Sequence, residues 1–258
     1  MRKMLQPLQT HKVNKAIIII PARMGSTRLY GKPLVNINGK PMIWHVWSRA
    51  IKSNIGPVVV ATDTKEIADK IIAEGGNAII TSDNHLSGSD RVFEAIEKVD
   101  SGKNYELVIN LQGDIPNLNS ENLKSLIPEN YEFDICTFVT QAKKSEIEHQ
   151  SVVKTVVAWA NNKKINGKAL YFSRNVVPFG AEKFWHHIGI YLWKRSSLEK
   201  FVSLPQSYLE KVENLEQLRA LEFGMNIKVI KIKDAPLSVD TEDDLFKVRR
   251  LMEKNNEA

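Results

Sequence analysis

Ala16-Ile-Ile-Ile-Ile-Pro-Ala-Arg-Met-Gly-Ser-Thr-Arg-Leu-Tyr-Gly-Lys-Pro33 joins an apolar run directly to a basic, glycine-containing loop. The run Ala16 to Ile20 predicts a fully buried strand of a sheet that is covered on both faces. The loop leaves this strand at its carboxyl end, where open α/β sheets bind their ligands. The stretch therefore predicts an α/β fold with a ligand site at this edge.

The loop carries the chemistry of an anion site. Its glycines permit tight backbone paths, its hydroxyl groups are hydrogen-bond donors, and its three cations suit a triphosphate. These residues are Gly25 and Gly31, Ser26 and Thr27, and Arg23, Arg28 and Lys32. The loop is not a Walker A motif, because Pro33 stands where a Ser or Thr would hold magnesium. A solvated basic surface loop is the alternative interpretation.

Outward from this stretch, β-branched runs alternate with helical periodicity, which predicts crossover-connected parallel strands in a doubly wound sheet. The second half is less regular and predicts a mixed sheet. Predicted helices cover 41–54, 65–74, 90–99, 208–223 and 241–253, and predicted strands cover 16–20, 58–61, 78–81, 106–111, 133–139, 151–157, 169–172, 187–193 and 226–232. We expect a disordered extension at 1–14 and a single domain at 15–256, with 140–190 as a small dimerisation subdomain.

Composition narrows the class of protein. The 258 residues suit one large α/β domain, and the net charge of +6 favours anionic partners. The basic residues form no dense stripe with interleaved aromatics, so nucleic acid is not an expected partner. Cys136 is the single cysteine, which we interpret as a buried core thiol in a cytoplasmic protein. The apolar runs are too short for a signal peptide or a membrane span.

Two aspartates far apart in the sequence are candidate metal ligands. Asp114 follows an apolar strand and Gly113, and Asp240 lies between the last predicted strand and the last predicted helix. A hard cation that bridges phosphates takes one or two carboxylates and water. From spacing alone, a helix cap is the favoured interpretation of Asp240, whereas Asp114 is equally typical of a turn and of a metal ligand.

A series of motifs resembles the 3-deoxy-manno-octulosonate cytidylyltransferase family, also called CMP-Kdo synthetases. They occur in the family's order from residue 16 to 250: 19–23 (IIPAR), 26–29 (STRL), 31–34 (GKPL), 38–43 (NGKPMI), 60–63 (VATD), 87–88 with Arg91, 112–114 (QGD), 169–174 (ALYFSR), 187–191 (HIGIY), 215–219 (LEQLR) and 239–241 (VDT). The resemblance implies a nucleotide-diphospho-sugar transferase (glycosyltransferase-A-like) fold, a homodimer, and Mg²⁺-dependent use of CTP and the sugar acid Kdo for lipopolysaccharide synthesis, without a membrane partner.

The same resemblance implies a set of site residues. Arg23, Lys32 and Asp114 would be catalytic, and Asp114 and Asp240 would bind the metal. The CTP site would comprise Ala22, Arg23, Ser26, Lys32, Ser87 and Gly88. The sugar site would comprise Arg91, Gln112, Arg174, His187, Tyr191, Glu216 and Gln217. By periodicity alone, Glu216 and Gln217 would instead belong to the solvated face of a helix.

Some positions depart from the family pattern. Ile115 stands where Glu usually follows the Gln-Gly-Asp triplet, Ser89 where Thr is usual, and Tyr30 where Pro is usual. Ile115 removes a charge beside the expected metal site, which leaves the identity of the sugar open. The alternatives are a cytidylyltransferase for 8-amino-Kdo or a sialic acid, and a non-catalytic nucleotide-binding protein.

Overall fold

The structure is a computed structural model that describes residues 15–25, 29–85, 87–127 and 132–256. It divides into two units, one comprising residues 1–124 with 236–258 and the other residues 125–235. The predicted extension at 1–14 lies outside the described residues. The predicted dimerisation subdomain at 140–190 lies within the second unit, and its role stays a prediction. Within the described part of the chain, no helix is long and apolar enough to cross a membrane.

The first unit begins with the elements β1 (Ala16–Ala22), β2 (Asn36–Ile37), β3 (Lys40–Pro41), α1 (Met42–Lys52), β4 (Val58–Thr62), α2 (Lys65–Ala73), β5 (Asn77–Ile80), α3 (Gly88–Val99), β6 (Leu107–Asn110) and α4 (Ser120–Ser125). It is built on a parallel sheet in the order β5-β4-β1-β6. The central strand β1 pairs on both sides, with Ile18 opposite Val58 and Ile109. Its buried isoleucines explain why the run is apolar throughout rather than alternating.

The last helix of the chain belongs to this first unit. It packs through Leu245, Val248 and Met252 into a buried cluster that also contains Leu29, Ile37, Met42 and Val239. Because Val239 is fully buried in this cluster, the segment before the helix is fixed beside the basic loop.

The second unit contains β7 (Ile135–Gln141), β8 (Lys154–Trp159), β9 (Asn166–Ser173), β10 (Trp185–Lys194), α5 (Arg195–Ser203), α6 (Tyr208–Glu213), α7 (Gln217–Glu222) and β11 (Ile227–Lys231), and the last helix of the first unit is α8 (Glu242–Asn256). The strands of the second unit form a mixed sheet in the order β10-β7-β11-β9-β8. The pair β7 and β11 is parallel, and the pairs β10–β7, β11–β9 and β8–β9 are antiparallel. The predicted α/β class, with a mixed sheet and flanking helices, is confirmed.

One helix that was predicted to be continuous is broken in two. The apolar pattern predicts a single helix over 208–223, but the structure has α6 and α7 with a break between them. Asn214 ends α6 in the left-handed conformation at φ 51°, a conformation that asparagine tolerates better than most residues. The break leaves Val212 largely exposed, although the pattern placed it on the buried stripe.

Candidate active site

The first unit contains an open cleft of about 340 Å³ at the carboxyl ends of β1 and β6. It is lined by Pro21, Ala22, Arg23, Gly25, Lys32, Pro33, Met42, His85, Ser87, Gly88, Arg91, Gln112, Gly113, Asp114 and Asp240. The cleft therefore brings together every predicted site residue of the first unit that the structure describes. Ser26, predicted for the CTP site, lies outside the described residues.

Lys32 enters the cleft from a tight turn. Gly31 has φ 65° and precedes a 3-10 turn at Lys32–Leu34, closed by a 2.8 Å hydrogen bond from Leu34 N to Gly31 O. This left-handed conformation favours glycine. The turn holds the Lys32 side chain at 13% exposure, so its ammonium needs anionic partners.

Two carboxylates supply those partners. Nζ of Lys32 donates to Oδ2 of Asp114 at 2.7 Å and to Oδ1 of Asp240 at 2.9 Å. Burial lowers the pKa of Lys32, but both carboxylates outweigh it and leave the pKa above its ordinary value. The three side chains form one cluster, in which one positive charge stands against two negative charges.

Backbone contacts explain how positions 114 and 240 meet. Val239 N donates to Asp114 O at 2.9 Å, which ties the segment before α8 to the segment after β6. A Cβ atom at Gly113 would lie 2.8 Å from the carbonyl oxygen of Pro21. Glycine is therefore required there, because the segment that carries Asp114 passes directly against the end of β1.

The capping interpretation of Asp240 does not hold. Thr241 caps α8: Asp244 N donates to Oγ1 of Thr241 at 3.2 Å, and Thr241 N donates back to Asp244 Oδ2 at 3.1 Å. This reciprocal pair is a capping box. Because Thr241 caps the helix, the Asp240 carboxylate is directed to Lys32 instead.

The cluster has the donor set of a magnesium site. The carboxylates of Asp114 and Asp240 present hard oxygen ligands on either side of the Lys32 ammonium. Magnesium in phosphate-transferring sites takes one or two carboxylates and completes its shell with water and phosphate oxygens. The residues present therefore fit a magnesium ion that enters with a triphosphate.

Arg91 lies on the cleft wall with its guanidinium held by the protein. Nη2 pairs with Asp63 Oδ2 at 3.0 Å, Nη1 donates to Thr81 Oγ1 at 2.6 Å, and the residue is 3% exposed. Nearby, Gln112 Nε2 donates to Asn110 Oδ1 at 3.2 Å. These bonds fix both predicted sugar contacts in defined orientations on the cleft surface, and their roles stay predictions.

Ser87 has a structural task as well as its place in the cleft. It caps α3 through a capping box: Asp90 N donates to Ser87 Oγ at 3.2 Å, and Ser87 N donates to Asp90 Oδ2 at 3.1 Å. Gly88 is the first residue of the helix and also lines the cleft. These two predicted CTP contacts therefore lie at the amino end of α3.

Sequence reasoning missed His85. It lines the cleft, yet no motif spacing in the sequence singles it out. The one available signal is its position two residues before the Ser87-Gly88 pair, between a strand and a helix.

The remaining predicted sugar contacts lie in the second unit, where His187 and Tyr191 are neighbours on β10. Their ring centroids are 5.6 Å apart, and the His187 ring makes an edge contact with Phe172 at 4.8 Å. Burial lowers the pKa of His187 to about 3 and raises that of Tyr191, so both side chains are neutral near pH 7.

The contacts of Thr137 favour one tautomer of His187. The single hydroxyl hydrogen lies near the carbonyl oxygens of Ile190 and Ile188, at 2.8 and 3.0 Å from Oγ1, and both are nearer than His187 Nε2 at 3.1 Å. Donation to a carbonyl oxygen leaves Thr137 Oγ1 to accept a hydrogen from Nε2. In this tautomer Nδ1 is an acceptor.

Glu216 and Gln217 begin α7 directly after the break in the predicted helix. Gln217 is 6% exposed and Glu216 is half-buried, so they do not form a solvated helix face. The negative charge of Glu216 also contributes to the raised pKa of Tyr191. These two residues therefore belong to the same region of the second unit as Tyr191.

Arg174 is engaged by the protein backbone. Its Nε, Nη1 and Nη2 donate to the carbonyl oxygens of Glu213, Gln150 and Asn214 at 2.9, 3.2 and 3.1 Å. The guanidinium thus binds the carboxyl end of α6, just before Glu216. Its predicted contact with the sugar stays a prediction.

Comparison with known proteins identifies the family. Residues 17–227 match the family model described as "Cytidylyltransferase". A curated protein of Paramagnetospirillum magneticum named 3-deoxy-manno-octulosonate cytidylyltransferase is 47% identical, over 92% of this chain and 97% of the relative. A protein of the same name from a Bradyrhizobium species is 49% identical, over 93% of this chain and 98% of the relative.

One solved structure agrees with this assignment, and a second shares the fold alone. A CMP:2-keto-3-deoxy-manno-octonic acid synthetase complexed with CTP superposes with a TM-score of 0.86 at 38% identity, covering 94% of this chain and 100% of the other. A mycobacterial protein from strain JC1 shares the fold with a TM-score of 0.60 at 19% identity, covering 92% and 98%. The resemblance predicted from the motifs is confirmed, and the chain belongs to the cytidylyltransferase family, as a nucleotidyltransferase similar to the 3-deoxy-manno-octulosonate cytidylyltransferases.

Proposed function

We propose that this enzyme transfers the cytidylyl group of CTP to Kdo, giving CMP-Kdo and pyrophosphate. The observation that carries the proposal is the Lys32 ammonium held between Asp114 and Asp240 in a cleft at the carboxyl ends of β1 and β6. A cluster of this kind suits a triphosphate and its divalent cation. The names of the relatives supply the nucleotide and the sugar acid.

Asp114 and Asp240 would hold magnesium. When bound, it would supply neutralisation of phosphate charge and would lower the pKa of oxygen groups that it coordinates. Binding one divalent cation changes the net charge of the cluster of Lys32, Asp114 and Asp240 from −1 to +1. The resulting positive charge favours the binding of a polyanionic substrate.

The reaction joins an anomeric hydroxyl of the sugar acid to the α-phosphorus of CTP and breaks the bond from that phosphorus to pyrophosphate. Two anions must approach each other, and negative charge spreads over the phosphoryl oxygens in the transition state. Arg23 and Lys32 line the cleft and would stabilise this charge. Preorganised cations of this kind contribute on the order of several kcal/mol to the rate.

Three of the predicted sugar contacts that lie in the second unit are uncharged. His187 is a neutral ring whose Nδ1 is an acceptor, Tyr191 is an un-ionised phenol, and Gln217 is a buried amide. Neutral hydrogen-bonding groups in a buried region suit a polyhydroxylated ligand, because they bind hydroxyl groups without a desolvated charge. We further propose a cytoplasmic homodimer that acts in lipopolysaccharide synthesis.

The direct test is pyrophosphate release when the purified protein is mixed with CTP, Mg²⁺ and a panel of acceptors: Kdo, 8-amino-Kdo and a sialic acid. The proposal expects turnover with CTP and Kdo and its loss when EDTA is added. Preferred turnover of 8-amino-Kdo or sialic acid would reassign the sugar, and the absence of pyrophosphate release with every acceptor would overturn the enzymatic assignment. Sedimentation of the same sample tests the homodimer.

A further inference from the structure

His85 lies in the segment that joins β5 to α3 and lines the cleft beside Ser87 and Gly88. Its side chain is 19% exposed, so the imidazole is partly buried yet reaches the cleft surface. Neither the motifs nor the family resemblance assigned a role to this residue. Its surroundings therefore decide what it can do.

The imidazole is held in place by a carboxylate on α3. Nε2 of His85 bonds to Glu94 Oε2, and the same carboxylate accepts from Ser82 N at 2.9 Å and pairs with Lys98 one turn further along the helix. These contacts fix the carboxylate from three directions. The orientation of the His85 ring is consequently fixed as well.

Glu94 also determines which ring nitrogen carries hydrogen. Burial raises the pKa of Glu94, but the hydrogen bonds from Lys98, Ser82 and His85 outweigh it and lower the pKa to about 2. An ionised carboxylate only accepts, so Nε2 of His85 is a donor. The structure gives Nδ1 no partner among the described residues, which leaves this atom to a ligand.

A purely structural role for His85 is less consistent with the contacts. The same segment is already tied to α3 by the bond from Ser82 N to Glu94, and Lys98 Nζ donates to Ile80 O at 3.0 Å at the end of β5. Two independent links therefore hold the segment without the imidazole. An aligned ring at the surface of a substrate cleft is better explained by a contact with what binds there.

The chemistry of Nδ1 decides which part of a nucleotide it can bind. A ring that carries its hydrogen on Nε2, which bonds to Glu94, presents Nδ1 as an acceptor. Phosphate oxygens are acceptors as well, whereas the amino group of cytosine and the ribose hydroxyl groups are donors. His85 therefore suits the nucleoside part of CTP rather than its phosphates.

Resting on the proposed function, we infer that His85 is a nucleotide-binding residue that contacts CTP through Nδ1, with Glu94 as its positioning residue. Two amide substitutions separate the ring nitrogens. In His85→Asn the amide group lies near the position of Nδ1, whereas in His85→Gln it reaches the position of Nε2 and can still bond to Glu94. We therefore expect His85→Gln to weaken CTP binding more than His85→Asn does.

Calorimetric binding of CTP in Mg²⁺, together with KM and kcat, measures the effect. Loss of one hydrogen bond between neutral groups predicts a rise of about tenfold in the Kd and KM for CTP in His85→Gln, with KM for Kdo unchanged. Glu94→Ala should raise Kd for CTP, and the double variant His85→Gln/Glu94→Ala should lose little more, because the two residues act as one unit. Glu94→Gln, which keeps an acceptor oxygen, should largely restore binding.

The matched control is His45→Gln on α1, whose ring bonds to the Ile37 carbonyl at 2.8 Å and does not line the cleft. It should leave Kd for CTP unchanged. Equal CTP affinity in wild type and both His85 variants would overturn the inference. An equal loss of CTP affinity in both variants, together with a lowered melting temperature, would overturn it as well. Failure of the proposed function is distinguishable, because the wild-type protein itself would then release no pyrophosphate.

Discussion

Lys32 and Asp114 are 82 positions apart in the sequence, yet Nζ of the lysine lies 2.7 Å from Oδ2 of the aspartate. The same nitrogen lies 2.9 Å from Oδ1 of Asp240, a further 126 positions along the chain. Three distant segments thus meet at one charged point. The chemistry proposed for the cleft depends on this convergence.

Asp114→Asn tests the proposed metal ligand. The amide keeps the size of the side chain but removes its charge, so we expect kcat to fall by about a hundredfold or more. The melting temperature should change little, because Lys32 retains Asp240 as a partner. Pyrophosphate release and a thermal melt measure the two effects. Asp69→Asn on the exposed face of α2 is the control, and normal turnover by Asp114→Asn would contradict the assignment.

Gly113→Ala tests the close approach of the segment that carries Asp114. The added Cβ would lie 2.8 Å from the Pro21 carbonyl oxygen, so the backbone must shift and displace the carboxylate. A displacement of about 1 Å can reduce the rate on the order of a hundredfold. Kinetics and thermal melting measure this variant beside Gly88→Ala, whose Cβ would meet atoms no nearer than 3.8 Å. Gly88→Ala should not lower the melting temperature, and equal turnover by Gly113→Ala and wild type would refute the steric argument.

His187 predicts a pH dependence of stability. Burial lowers its pKa from 6.5 to about 3, so between these values the unfolded chain binds a proton that the folded protein does not. By linkage, the free energy of unfolding decreases as the pH falls below 6.5, by about 2 kcal/mol from this residue at pH 5.

Urea unfolding of wild type and His187→Gln between pH 7.5 and 5 isolates this contribution, because the glutamine does not titrate. The variant should lose less stability than wild type over that range. His149→Gln, at an exposed position, should retain the wild-type dependence. Parallel curves for wild type and His187→Gln would show that the imidazole titrates alike in both states.

Ile115 stands where the family usually has glutamate, and its side chain is 5% exposed. Ile115→Glu would therefore bury a carboxyl group, and we expect the free energy of unfolding to fall by about 3 kcal/mol. Ile115→Val, which removes one methyl group, should cost about 1 kcal/mol. Denaturant unfolding distinguishes them, and an Ile115→Glu protein as stable as wild type would mean that the site accommodates the charge.

The sequence predicted the strands of the first unit well, because an uninterrupted run such as Ala16 to Ile20 is a local signal of a strand buried on both faces. It predicted the helix over 208–223 less well. The apolar period continues through Asn214, and periodicity does not register a single left-handed residue. The motif resemblance placed Asp114, Asp240 and Lys32 in one expected site, whereas spacing alone favoured a capping role for Asp240.

By itself, the sequence determined the α/β class, the basic loop at a strand end and the family, because each of these follows from local patterns or from the order of motifs. Only the tertiary structure decided that Thr241 rather than Asp240 caps α8, that Lys32 joins the two carboxylates, and that His85 lies in the cleft. The physical reason is the same in each case. A polar side chain bonds to whichever partner the packing of the chain brings close to it, and that partner can lie anywhere in the sequence. Spacing along the sequence therefore does not reveal it.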